Sequence, residues 1–410
     1  MHMPVSTWVE VDLDQFARNL GEARRLAGPG CDILLVAKAD AYGHGAVDMV
    51  QAAQEEGVGH FGVATLHEGI EIRRAGVAAP LVVLSPLLPS EAGEAVAHDL
   101  APSVCDLEFA RALSREAQQQ GRPARCHVEI DTGMGRIGVR EERAEGFLRE
   151  IVALPGLRLA SIYTHFPDAD AEDLAFARGQ TERFRALAET LARVGIRPPR
   201  LHAANSAGLV NLPEARFDWA RVGLLAYGYP PANARARVDV GPVMSFKSRL
   251  VQVRDLPAGA SISYGRTFTA PRAMKVGVVA VGYGHGYSWL LSGQGQMLVG
   301  GARVPVLGRV TMDLTMVDLA GAPHAAVGDE VVLFGSQGEA RVGIEEVAAW
   351  CRTLHYEIMC TIGKRVTRIY VRGARPAKVV TLVGEREAWT HAAADHFRAR
   401  EQALTAARRR

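Results

Sequence analysis

The chain has no pair of neighbouring cysteines. Its five, Cys31, Cys105, Cys126, Cys351 and Cys360, are scattered and odd in number, without a CxxC motif. Such usage argues against a disulfide framework or a metal site and points to a reducing compartment. No apolar run reaches the ~20 residues of a membrane span. Basic blocks are missing too: the net charge is +2, and only Arg408-Arg409-Arg410 cluster. The electrostatic footprint of a nucleic-acid binder is therefore absent. Early in the chain come Glu10, Asp12 and Asp14, not the basic-then-apolar order of a secretion signal. The expectation is a cytoplasmic protein with neither nucleic acid nor membrane as partner. No GxGxxG follows the first predicted strand, which weighs against an open dinucleotide-binding sheet.

What is present has two rhythms. A chain of 410 residues exceeds one ordinary core, so two domains are expected. From about Ile33 to Val222, short apolar strands alternate with helical patterns. Strands are predicted at Ile33–Val36, Phe61–Ala64, Leu81–Leu84, Pro102–Val104, Ala124–Ile130, Leu159–Thr164, Arg200–Ala203 and Trp219–Val222. Helical patterns lie between them, as at Ala46–Glu56, Asp106–Gln120 and Leu174–Val194. Eight such alternations are the signature of a closed (β/α)8 barrel, a TIM-type α/β fold. After Pro230-Pro231 the rhythm turns mainly β, with strands expected at Val243–Val253, Lys275–Val281, Gln296–Leu307, Val327–Phe334 and Arg365–Tyr370. The expected domains are 1–240 and 241–384. The charged, alanine-rich tail at 385–410 reads as a surface helix that frays.

Lys38 stands at the exit of the first strand, in Val36-Ala37-Lys38-Ala39-Asp40-Ala41-Tyr42-Gly43-His44-Gly45. A lysine there is costly unless paired or used covalently, and desolvated lysines form Schiff bases with aldehydes. The plainer alternative is a stem lying on apolar surface with its head in water. Other polar residues fall at strand exits, where barrels place their chemistry. Asp131 to Arg136 follow the fifth strand, His165 ends the sixth, Asn205 and Ser206 follow the seventh, and Arg221 and Gly223 close the eighth. Each has a plainer reading alone: a tight turn, a core histidine, a helix start, a structural ion pair. Together on one rim, a lysine, a phosphate-type cradle and an arginine suggest pyridoxal phosphate.

These segments resemble the alanine racemase family. Val36–Gly45 is similar to its cofactor-lysine motif. The resemblance continues through Asp131–Gly138, Tyr163-Thr164-His165-Phe166, His202–Ser206, Arg221–Tyr229, Ser263-Tyr264-Gly265-Arg266, Gly308–Asp313 and Tyr356-Glu357. It implies a barrel followed by a β domain, and a head-to-tail homodimer with shared active sites. It implies an enzyme that interconverts L- and D-alanine, supplying peptidoglycan. Lys38 would carry pyridoxal phosphate. Tyr42, Asn205, Ser206, Gly223 and Tyr356 would hold it, and Arg221 would bond its pyridine nitrogen. Arg136, Met312 and Asp313 would meet the substrate. Tyr264 would come from the partner subunit, with His165 and Arg221 linked behind it. Asp170, Tyr283, Arg309 and Leu354 would line the entrance. No metal is implied.

Three positions depart from the family pattern. Many members have, two residues before the aspartate of the DTGMGR segment, a lysine that becomes carbamylated; here it is Glu129. His285 replaces an acidic residue, and Trp289 replaces the arginine of the entrance. These changes leave a racemase of broader or serine-type specificity as the alternative. A fold-related decarboxylase fits less well, because Ser263-Tyr264-Gly265 is present. A barrel-only cofactor-binding protein fits less well because of the large second domain.

Overall fold

The computed structural model describes residues 5–385. Two compact units emerge, Gln15–Gly241 and, separately, the chain from Pro242 joined by its first residues up to Asp14.

The first unit contains eight parallel barrel strands: β1 (Asp32–Val36), β2 (His60–Val63), β3 (Leu81–Val83), β4 (Ala101–Pro102), β5 (Ala124–Asp131), β6 (Leu157–Tyr163), β7 (Arg200–His202) and β8 (Trp219–Val222), with a two-residue strand, Val139–Arg140, added in parallel beside β5. The spatial order of the eight is β4-β3-β2-β1-β8-β7-β6-β5. The ends meet where Ser103 bridges His127 in parallel, and the Val104 amide donates to the His127 carbonyl at 2.7 Å. The sheet is thus closed. A helix follows each of the first seven strands, from Ala46–Glu55 after β1 to Ser206–Asn211 after β7. Covered on both faces, the strands read as near-continuous apolar runs. Leu34, Val36, Val82 and Trp219 pack together inside.

The second unit is antiparallel where its main strands meet. Residues 330–337, 296–299, 302–307, 315–318, 274–279 and 244–256 pair in that order, and the last pairs back onto the first. The expected single strand at Gln296–Leu307 is a hairpin. Gly300 and Gly301, both at positive φ, make the turn, because only glycine adopts that backbone freely.

One further boundary differs from expectation. Thr7–Asp12 is a strand of this second unit, antiparallel to Met244–Leu256 and parallel to Thr367–Arg372. The early acidic residues explain why it belongs there. Glu10 accepts from buried Lys247 Nζ at 2.7 Å, with Glu330 at 3.6 Å. A buried lysine needs such partners. The tail from 386 onward lies outside the described residues.

Candidate active site

β1 ends in an unusual turn. Ala39, Asp40, Ala41 and Tyr42 have φ of 52°, 55°, 52° and 53°, a left-handed turn beginning at Lys38. Each such L-residue costs roughly 1–2 kcal/mol, so the surroundings must impose it. Glu68 accepts from the Ala39 amide at 2.8 Å and from Ala64 and Thr65 at 2.7 and 3.0 Å. Asp40 accepts from the Ala46 amide at 2.8 Å. Buried His44 sits with Nδ1 at 2.9 and 3.0 Å from the Ala41 and Tyr42 carbonyls. Tyr227 stacks on His44 at 4.6 Å and donates to the Val36 carbonyl at 2.9 Å. The strand end and the turn that carry Lys38 are therefore clamped from several sides.

At the ends of β7 and β8 lies a cradle. Asn205 caps the short helix Ser206–Asn211, accepting from the Gly208 amide at 2.8 Å. Ser206 Oγ accepts from the amides of Gly223 and Leu225 at 3.1 and 3.3 Å. A Cβ on Gly223 would stand 2.8 Å from the Tyr42 hydroxyl. Glycine is thus needed for Tyr42 to reach in, and two amides, a serine and a phenol converge there.

Arg221 on β8 is buried. Its Nη2 donates to the Thr164 and Ala203 carbonyls at 2.7 and 2.9 Å and to His165 Nδ1 at 3.1 Å. Its Nη1 donates to His202 Nδ1 at 2.9 Å. Nothing among the described residues accepts from its Nε–H. Burial, then the charges of Arg221, Arg136 and Lys38, holds His165 well below the ordinary histidine range. The neutral ring with Nδ1 facing a donor carries its proton on Nε2.

The loop after β5 is folded by Asp131, which accepts from the Gly133 and Gly135 amides at 3.0 Å each. Gly138 brings the chain back so closely that a Cβ would lie 2.9 Å from the Glu129 carbonyl. Arg136 projects from this loop and is exposed. Glu129, on β5, is 2% exposed. Burial raises its carboxyl above the usual range, and Arg221, Tyr163 and Arg136 pull it back. Glu129 and Arg136 form no ion pair, and Arg136 acts on the Glu129 carboxyl only through its charge. Asp170 is half-buried, and its carbonyl accepts from Asn233. Gln180, which the sequence did not single out, donates to Thr132 Oγ1 at 3.0 Å and to the His165 carbonyl at 3.2 Å.

In the second unit Tyr264 is 72% exposed. Ser263, at φ 68°, fastens its turn by donating to the Arg309 carbonyl at 2.7 Å. A cavity of about 450 Å³ is lined by Tyr264, Tyr283, Trp289, Arg309 and Val310. The Arg309 guanidinium lies 5.8 Å over the Trp289 ring. Met312, Tyr283 and Leu354 are exposed. Asp313 is paired with Arg365 at 2.7 Å. Tyr356 is half-buried on the helix His355–Cys360.

The class is that of a (β/α)8 barrel with a lysine at the exit of β1, a cluster of serine, phenol and backbone amides at the ends of β7 and β8, and a buried arginine on β8. Residues 11–231 match the family model for the alanine racemase N-terminal domain, and residues 243–370 that for its C-terminal domain. An alanine racemase of Desulfosudis oleivorans is 42% identical, over 91% of this chain and 98% of its own. The structure of a Clostridium difficile alanine racemase is 30% identical, covers 93% of this chain and 100% of its own, and superposes with a TM-score of 0.89. That of a Bacillus anthracis alanine racemase with bound L-Ala-P is 32% identical, covers 93% and 99%, and has a TM-score of 0.87. The chain belongs to the alanine racemase family of isomerases.

Proposed function

We propose that this enzyme interconverts L- and D-alanine with pyridoxal phosphate bound at Lys38, as a cytoplasmic homodimer that supplies D-alanine for peptidoglycan. One observation carries the reading. Lys38, the Ser206–Gly223–Tyr42 cradle and Arg221 share the rim formed by the ends of β1, β7 and β8. These residues fit the cofactor. Ser206, Tyr42 and the Gly223 and Leu225 amides would hold its phosphate, and Arg221 Nε–H would meet its pyridine nitrogen. When bound, the cofactor draws off the electron pair left at Cα as the proton departs.

The remaining chemistry belongs to the chain. A guanidinium stays charged, with a pKa above ~12, so Arg221 donates a hydrogen bond without surrendering its proton. That tempers the electron withdrawal and favours return of the proton to Cα. Racemisation needs a base on each face. Lys38 serves one, and Tyr264 of the partner subunit serves the other. His165, with Nδ1 on Arg221 and its proton on Nε2, is set to donate towards that phenol. Arg136 and Met312 receive the substrate carboxylate. The exposed Tyr264, Tyr283 and Trp289, which line one cavity, support a partner, because contiguous apolar exposure marks interfaces.

The test offers L-alanine, L-serine, L-lysine and L-arginine to the purified enzyme and detects the D-enantiomers with a D-amino-acid oxidase. D-alanine should form fastest. Lys38→Ala should lose both activity and the visible cofactor band. Faster formation of D-serine would overturn the alanine assignment, and Trp289 and His285 would then be the first residues to examine.

A further inference from the structure

Four inward-facing residues on four neighbouring strands form a hydrogen-bonded chain through the barrel: His127 on β5, Ser161 on β6, His202 on β7 and Arg221 on β8. All four are buried. His127 Nδ1 lies 2.6 Å from Ser161 Oγ, Ser161 Oγ 2.8 Å from His202 Nε2, and His202 Nδ1 2.9 Å from Arg221 Nη1.

The chain has one direction. Arginine only donates, so His202 Nδ1 must be bare and His202 carries its proton on Nε2. That proton goes to Ser161 Oγ. The Ser161 hydroxyl then has one acceptor left, His127 Nδ1, and a buried hydroxyl without an acceptor is costly. His127 therefore carries its proton on Nε2 as well. Both imidazoles are neutral: burial first, then neighbouring cationic groups, pushes His127 down to about 3 and His202 well below the usual range. The tautomers are assigned from the direction of donation. An arginine at the end also means the chain cannot relay protons to the rim.

We propose that Ser161 and His127 are positioning residues for the reaction: they lock the His202 tautomer whose bare nitrogen holds Arg221 in register, leaving Arg221 Nε–H for the cofactor. Without the Ser161 hydroxyl, His202 loses the acceptor for its Nε2 proton. The proton is then free to move to Nδ1, where it faces a guanidinium N–H. Donor meets donor, and Arg221 must shift. The inference rests on the proposed role of Arg221 at the pyridine nitrogen.

The test is a long-range proton–nitrogen spectrum of the holoenzyme with ¹⁵N-labelled histidine, with resonances assigned by single His substitutions. In the parent, His127 and His202 should both show the Nε2–H tautomer. A proton on Nδ1 of either overturns the inference without any variant. Ser161→Ala should then show His202 as a mixture of tautomers, an altered pH titration of the visible cofactor band, and a kcat lowered roughly 10- to 100-fold with KM changed far less. Misplacement of a catalytic group by ~1 Å typically costs about 10²-fold. Ser161→Thr, which keeps the hydroxyl, should restore the tautomer and most of kcat. A Ser161→Ala enzyme with the parent tautomer and kcat, or a Ser161→Thr enzyme as impaired as Ser161→Ala, would overturn it. A parent without a visible cofactor band would instead refute the cofactor reading, so the two failures are told apart.

Discussion

Glu129 is a carboxylate in a place where burial opposes its charge. It sits 2% exposed on β5, with Arg221 and Arg136 near enough to lower its raised pKa. Its fold-state pKa lies above the unfolded value, so the stabilisation it gives is complete below the unfolded pKa. That stabilisation is lost as pH rises through the folded one. Ionising Glu129 therefore works against the fold rather than for it. Glu129→Gln should leave Tm at pH 7.5 equal to the parent's or higher. Yet kcat/KM for alanine should fall roughly tenfold or more, because the charge that acts on Arg221 and Arg136 is lost, and ~1.4 kcal/mol of such an interaction is a factor of ten. Bicarbonate should not change the parent's rate, since no lysine carbamate is needed. Thermal melts beside steady-state assays with and without bicarbonate decide this. A fall in Tm that tracks the loss of activity, or a parent stimulated by bicarbonate, would refute the idea.

The left-handed turn shows where an element departs from its sequence. Lys38 at a strand exit was legible, because a lysine after a branched apolar run is conspicuous. Four successive residues at positive φ were not, since Ala39, Asp40, Ala41 and Tyr42 include no glycine. Context imposes the turn. Tyr-Gly-His-Gly at 42–45 begins in left-handed backbone, whereas the same four residues at 283–286 start as a 3-10 turn. Thr65-Leu66-His67-Glu68 has the spacing of a capping box, and the box is formed. That the other Glu68 oxygen reaches Ala39 is a tertiary fact no local pattern contains. Glu68→Ala removes three accepted hydrogen bonds, and the strained turn should relax. We expect a loss of about 2 kcal/mol in denaturant titrations and faster cofactor loss on dialysis. An unchanged midpoint with full cofactor retention would show that Asp40 and His44 suffice.

On the scale of the whole molecule, the eight barrel strands fall within a few residues of their predicted positions, because apolar runs bounded by turns leave little freedom in register. The hairpin at 296–307 and the strand at Thr7–Asp12 were missed for different reasons. The first had its signal in Gly300-Gly301; the second has alternating residues whose partners lie over 200 positions away. The hydrogen-bonded chain through Ser161 was invisible for a similar reason, since only strand pairing brings together side chains 34, 41 and 19 positions apart. Its histidines have a global consequence. His127, His165 and His202 are all depressed by burial. The stability they give is therefore complete above the unfolded value near 6.5 and lost as pH falls below it. Each costs up to ~1.4 kcal/mol per pH unit in that window. Unfolding free energies at pH 7.5, 6 and 5 should drop with a slope of more than one proton. A flat profile would mean that these rings are not buried neutral. Mixing inactive Lys38→Ala and Tyr264→Phe chains should restore some racemase activity, as each mixed dimer rebuilds one complete site. Proven subunit exchange without recovery would argue against a shared site.

The pairing of Thr7–Asp12 with strands at 244–256 and 367–372 makes the barrel an insertion within the β unit. During synthesis the ribosome releases that first strand long before either partner exists. The barrel's residues, 15–241, emerge next as one uninterrupted block and are free to fold while the strand waits. The β unit can close only after about residue 372 has left the exit tunnel. A nascent chain halted at residue 300 should therefore protect its barrel from protease while Trp8 and Val9 are still open to attack.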